Sequence, residues 1–229
     1  MERTPCTVGV LVERRFFEEA AAAATDGGRQ QVVVQKVAAV FLGGPDDREA
    51  VAYAARLAAH PWVAVTVCRF LPASSSSTAV AEAGEEATED EEFMADLHAR
   101  FVSPGHVSYT EKVVSNGVET LNTLSAMAPK FSLFVVGKGS GGGAGAEAMT
   151  CGMGDWDKEC PELGPIGELL ASDDVVGGGS VLVLQQHSVH ASNKMRTWKG
   201  AAGASNDAVV VDINRDPPRL STSNQTHRS

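Results

Sequence analysis

The chain has 229 residues, 43% of them hydrophobic, with 19 Lys and Arg against 29 Asp and Glu, giving a formal charge of -10. That length suits one domain of ordinary size plus flexible segments, and the acidity argues against nucleic acid, whose phosphates are gripped by clustered Lys and Arg. The longest apolar runs, residues 61–68 and 180–184, fall well short of the roughly 20 residues of a membrane-crossing helix, so no direct membrane insertion is expected.

Thr7–Val12 (TVGVLV) reads as a short, almost wholly apolar strand followed by a polar, alanine-rich linker from Glu13 to about Gln35. With no neighbour in sequence it is expected to be unpaired, and an unpaired edge of this kind invites aggregation or a partner. Val37, Val40, Phe41 and Leu42 then form an apolar run without polar alternation, the pattern of a parallel strand covered on both faces. Gly43, Gly44 and Pro45 end it. Asp46 is placed to cap a helix over 46–59 with Glu49 reaching back, a capping box, and Ala50, Ala54, Leu57 and Ala58 give that helix an apolar stripe.

Strands at 63–70, 107–114, 132–136 and 180–185 alternate with helices at about 88–101, 117–127 and about 165–172. Strict alternation predicts an α/β fold with a doubly wound, mainly parallel five-stranded sheet and helices on both faces. Asn116 with Glu119 repeats the capping-box logic, and Phe93, Leu97 and Phe101 make a core stripe on the acidic helix. Residues 72–87 and Gly139–Gly145 read as loops, and 188–229 as a largely disordered polar tail with at most a short strand at Val209–Ile213. Cys6, Cys68, Cys151 and Cys160 lack CxxC spacing, which favours reduced thiols.

Several stretches, in order, carry a resemblance: FLGGPDDREAVAYAARLAAHPWVAVTVCRF, YTEKVVSNGVETL, LFVVGKG and DWDKECPELGPIGELLASDD followed by SVLVLQQ. Together they resemble the carboxy-terminal cytosolic tail of plant cation/proton exchangers, monovalent cation:proton antiporters, over roughly Thr4 to His187. The resemblance implies a regulatory α/β domain over 37–187, with residues 1–36 a strand remnant of a preceding domain plus linker. It also implies a role in potassium transport and pH and ion homeostasis, at the cytosolic face of an endomembrane or plasma membrane. The implied partners are the membrane transport domain and the preceding half of the tail. Ion translocation in that family belongs to the membrane domain.

In an open parallel sheet, ligands bind beyond the carboxyl ends of the strands where strand order reverses, which selects Gly43–Asp47 and Gly137–Ser140. Gly43, Gly44, Asp46, Gly137, Lys138, Gly139 and Gly164 are therefore the candidate nucleotide-binding set, with glycine amides for a phosphate and Lys138 for charge. The arrangement is similar to the universal stress protein fold, whose nucleotide-binding members place a hydroxyl residue after the last glycine. Here Gly164 precedes Pro165, which supplies neither hydroxyl nor amide donor. A free-standing binder of nucleotide or another small molecule, or a homodimer built through the last strand, is the alternative reading. Asp155, Trp156, Asp157 and Glu162 form a second candidate set, an aromatic among acids that suits docking to a basic partner. No P-loop, GxSxG or HExxH motif is present, so neither an enzyme nor a resident cofactor is expected.

Overall fold

A computed structural model describes residues 6–14, 34–73, 85–139, 144–153, 160–172, 175, 179–187 and 209–211. Its strands are β1 (Val8–Val12), β2 (Gln35–Phe41), β3 (Val63–Pro72), β4 (Val107–Val114), β5 (Leu133–Gly137), β6 (Ser180–Gln185) and β7 (Val209–Val211). Its helices are α1 (Pro45–Leu57), α2 (Glu85–Leu97), α3 (Gly117–Met127), α4 (Ala144–Thr150) and α5 (Gly164–Ala171). A wide turn at His98–Val102 extends α2, and a tight turn at Ala128–Lys130 closes α3.

The sheet order is β4-β3-β2-β5-β6-β1-β7. The five strands expected from the alternation, β2 to β6, are contiguous and parallel. Two more extend the sheet past the expected five. β1 pairs antiparallel with β6, Val8 opposite Gln185 and Val12 opposite Val181, so the expectation of an unpaired strand is corrected. It finds β6 because the backbone groups of either strand would otherwise lack partners. β7 adds parallel to β1 over Val8–Val10.

Each face of the parallel strands carries its own core, because alternate residues point to opposite sides. On one face Ala38, Val40, Phe70, Phe134, Val136 and Val183 pack with Leu124 and Met127 of α3, Met149 of α4 and Ile166 and Leu170 of α5. On the other, Val37, Ala39, Phe41, Val65, Val67 and Val135 pack with Ala50, Val51, Ala54 and Ala55 of α1 and Met94 and Leu97 of α2. The small residues of α1 let its backbone lie close to the sheet, and Phe93 and Phe101 flank this second core as the acidic helix's stripe requires. α4 begins inside a stretch expected to be loop and brings the fully buried Met149 to the sheet.

Helix starts follow two different chemistries. At α3 the capping box forms: Asn116 Oδ1 accepts from Glu119 N at 3.0 Å, and Glu119 Oε2 reaches back to Ser115 N at 2.7 Å. At α1 it does not. Gly44 is the cap residue and Pro45 opens the helix without a side-chain cap, while Glu49 lies 3.8 Å from Arg56. The carboxylates of Asp46 and Asp47 are used elsewhere.

Candidate functional site

Strand order reverses between β2 and β5, since β3 and β4 lie to one side of β2 and β5 and β6 to the other. The crevice beyond their carboxyl ends is where ligands of such sheets sit. Here it holds Leu42–Asp47 after β2, Lys138–Gly139 after β5, Gln186 after β6 and the start of α5. The residues predicted from sequence are thus brought together.

Asp47 is only 2% exposed and lies at the centre. Its Oδ2 accepts from Leu42 N at 2.8 Å and Gly43 N at 3.0 Å, and its Oδ1 accepts from Gly137 N at 3.1 Å. Asp46 does the same one strand further along, Oδ2 accepting from Gly139 N at 2.9 Å and Oδ1 from Gln186 N at 2.7 Å. The next donor, Gly44 N, gives its hydrogen to Asp90 Oδ2 of α2 at 2.9 Å. The amides of Leu42, Gly43, Gly44, Gly137, Gly139 and Gln186 are each taken by a carboxylate of the chain itself, and Lys138 N donates to Leu184 O.

Two glycines are required for this geometry. A Cβ on Gly137 would stand 2.3 Å from Asp47 Oδ1 and 2.6 Å from Asp47 N, so only glycine lets α1 approach the end of β5 this closely. Gly164 has φ +66°, and a Cβ there would stand 2.0 Å from Lys138 O. The residue singled out as a phosphate contact instead seats α5 against the backbone of the β5 loop. Lys138 directs its ammonium toward Gln185, Nζ donating to Oε1 at 3.4 Å.

Burial pushes the Asp47 carboxyl up to about 7, although the amides of Leu42, Gly43 and Gly137 pull it down; neighbouring Asp46 pushes in the same direction as burial. Beside the crevice Arg48 sits among acids of α2, bonded to Asp90 and paired with Glu89 at 2.9 Å and Glu86 at 3.2 Å. Arg69 of β3 pairs with Glu91 of the same helix. The acidic run of α2 therefore anchors the helix to α1 and β3 in addition to facing solvent.

Local spacing marks Asp46 as a helix cap and Asp47 as a solvated charge, and it does not pick out Asp90. The signal available is the pair of aspartates after a strand-ending GGP. Three of the amides they hold, those of Gly137, Gly139 and Gln186, lie about 90 to 140 residues further along the chain, where no local pattern points. Asp155, Trp156 and Asp157 lie outside the described residues, while Glu162 is exposed just ahead of α5.

A family model described as "Plant cation/H(+) antiporter, C-terminal domain" matches residues 34–185, which contain β2 through β6 and the five described helices. The chain belongs to the plant cation/H(+) antiporter family. It is similar to Cation/H(+) antiporter 28 of Arabidopsis thaliana, 38% identical over 198 residues, covering 81% of this chain and 24% of that protein. It is also similar to Cation/H(+) antiporter 15 of the same plant, 39% identical over 201 residues, covering 82% of this chain and 23% of the relative. The chain thus spans about a quarter of the length of these relatives, and the matched part is their C-terminal domain. Among solved structures, a universal stress protein in complex with cAMP aligns over 67% of this chain and 97% of its own at 16% identity, with a TM-score of 0.33. Among the described residues, no helix is long and apolar enough to cross a membrane.

Proposed function

We propose that this domain is a cytosolic regulatory unit of a cation/proton antiporter that exchanges potassium or a related monovalent cation for protons, and so serves pH and ion homeostasis. It works at the cytosolic face of an endomembrane or the plasma membrane, docked on the transport domain and on the preceding half of the tail. A change in those contacts biases transport, because a domain that binds two transporter states unequally shifts their populations. The observation that carries this reading is membership of the antiporter family across residues 34–185, from β2 through β6.

The crevice supports a domain regulated through its contacts more than one loaded with nucleotide. Its amide donors already hold Asp46, Asp47 and Asp90. An incoming phosphate would have to displace a carboxylate while facing its negative charge at close range.

The test is transport by a complete antiporter of the family with this domain deleted. Reduced cation uptake, or an altered pH response with normal membrane targeting, is the expected result. Unchanged activity, pH response and targeting would remove the regulatory reading.

A further inference from the structure

β1 is built as an interior strand but stands near the rim of the sheet. Its sequence, VGVLV, is apolar at every position, the composition of a strand covered on both faces. Val10 and Val12 lean toward one core and Leu11 toward the other, yet Val8, Val10, Leu11 and Val12 all stay partly exposed. The facing residues of β6 contrast sharply: Val181, Leu182, Val183 and Leu184 are 0%, 7%, 2% and 4% exposed. The main contacts of β1 are with β6 and β7, and none of the described helices lies over it to a comparable extent. β7 borders only Val8–Val10, so Leu11 and Val12 have no described strand beyond them.

Apolar side chains left partly wet on both faces of one strand are unfavourable unless something covers them. The occupant must supply a strand for the outer edge and apolar helix faces above and below, which is the make-up of a second α/β unit. The place of β1 in the chain says where that unit lies. β1 precedes the segment matched by the family's C-terminal domain, and about three quarters of each relative's length lies outside the matched part.

We propose that the edge of β1 left open beyond β7, at Leu11 and Val12, and both faces of β1 are the docking surface for an α/β unit in the region that precedes this domain in full-length antiporters, joined by strand addition. The bound strand runs parallel to β1, the direction the edge already accepts from β7. Through β1, which is antiparallel to β6, the two units share one sheet. This rests on the regulatory reading for its setting and adds the interface.

Hydrogen exchange tests it. Residues 1–229 are compared alone and in full-length Cation/H(+) antiporter 28 carrying them in place of its matching segment. Of the consecutive Leu11 and Val12 amides, the one that faces away from β6 is expected to exchange at least tenfold more slowly in the full-length protein. The triple variant Val10→Thr, Leu11→Thr, Val12→Thr keeps strand propensity and removes apolar contact, and it is expected to lose that protection while Leu182–Leu184 stay protected. Should the triple variant deprotect β6 as well, Val12→Thr alone repeats the comparison at the uncovered end of β1. Equal exchange in the two settings overturns the proposal, as does protection that survives the threonine variants, or protection in the isolated chain that appears only as it dimerises by light scattering. Slowed exchange beside unchanged transport after domain deletion would retain the interface and discard the regulatory reading.

Discussion

Asp47 Oδ1 accepts from Gly137 N at 3.1 Å across 90 residues of sequence. With Asp46 on Gly139 and Gln186, one Asp-Asp pair at the start of α1 ties together the carboxyl ends of β2, β5 and β6. The crevice that an open α/β sheet ordinarily offers to a ligand is here closed by its own side chains.

That closure predicts poor anion binding. ATP, ADP or AMP titrated into the chain gives no measurable heat at submillimolar concentration. Asp46→Asn replaces one acceptor oxygen with a donor, so either Gly139 or Gln186 loses its partner at about 0.5–1.5 kcal/mol, since water reaches both exposed bonds. Faster hydrogen exchange at those two amides, with little change at Leu42, checks the assignment. Strong ATP binding by the unaltered chain would show that the carboxylates yield to phosphate.

Asp47 makes stability depend on pH in an unusual direction. Its carboxyl stands at about 7 in the fold against 3.8 as the ordinary value. The folded state therefore holds this proton more tightly than the unfolded chain. The contribution is complete below about pH 4 and is lost as pH rises through about 7, with a slope of up to roughly 1.4 kcal/mol per pH unit inside that window. Asp47→Asn removes this slope. It also leaves at least one of three buried amides facing an amide donor, and so lowers stability by about 1–3 kcal/mol. Urea unfolding of both proteins at pH 4.5, 6 and 7.5 measures the difference.

Gly164→Ala places a methyl group 2.0 Å from Lys138 O at φ +66°. The left-handed backbone alone costs about 1–2 kcal/mol for an L side chain, and the overlap forces α5 off the β5 loop. A loss of at least about 2 kcal/mol by chemical denaturation is expected. Pro165→Ser, which supplies the hydroxyl and the backbone donor that proline lacks, is expected to create no nucleotide binding while Asp46 and Asp47 hold their amides.

Asn116→Ala removes the acceptor for Glu119 N and frees the first turn of α3. The loss is about 1 kcal/mol, read as a lower midpoint in thermal unfolding. Asn116→Asp retains the cap and is expected to retain most of the stability.

Much of the domain is legible in the order of its amino acids. The strands at 107–114 and 180–185 and the helix at 117–127 fall at the predicted residues. Local signals govern them: unbroken apolar runs for strands, Asn116 with Glu119 for a helix start and Pro129 near its end. The position of the crevice follows too, since alternating elements dictate parallel pairing and a reversal beside the first parallel strand. Family wording in GGPDDREA and CPELGPIGELLAS points to the antiporters, and the match over residues 34–185 agrees.

The use of that crevice is decided only in three dimensions. Asp46 has the spacing of a helix cap, and local spacing cannot reveal that amides 93 and 140 residues away compete for its oxygens. Gly137 and Gly164 look like phosphate-loop glycines in a string of letters, but the space they leave is filled by Asp47 and Lys138 O. The pairing of β1 with β6 is equally hidden, because antiparallel addition at a sheet edge depends on which edge is free after the core has formed. Short-range periodicity and turn chemistry specify the elements and their two apolar faces without reference to distant residues. Which polar groups meet is settled by packing, because hydrogen-bond partners are chosen by proximity in space and the buried donors must find acceptors wherever the packed sheet presents them.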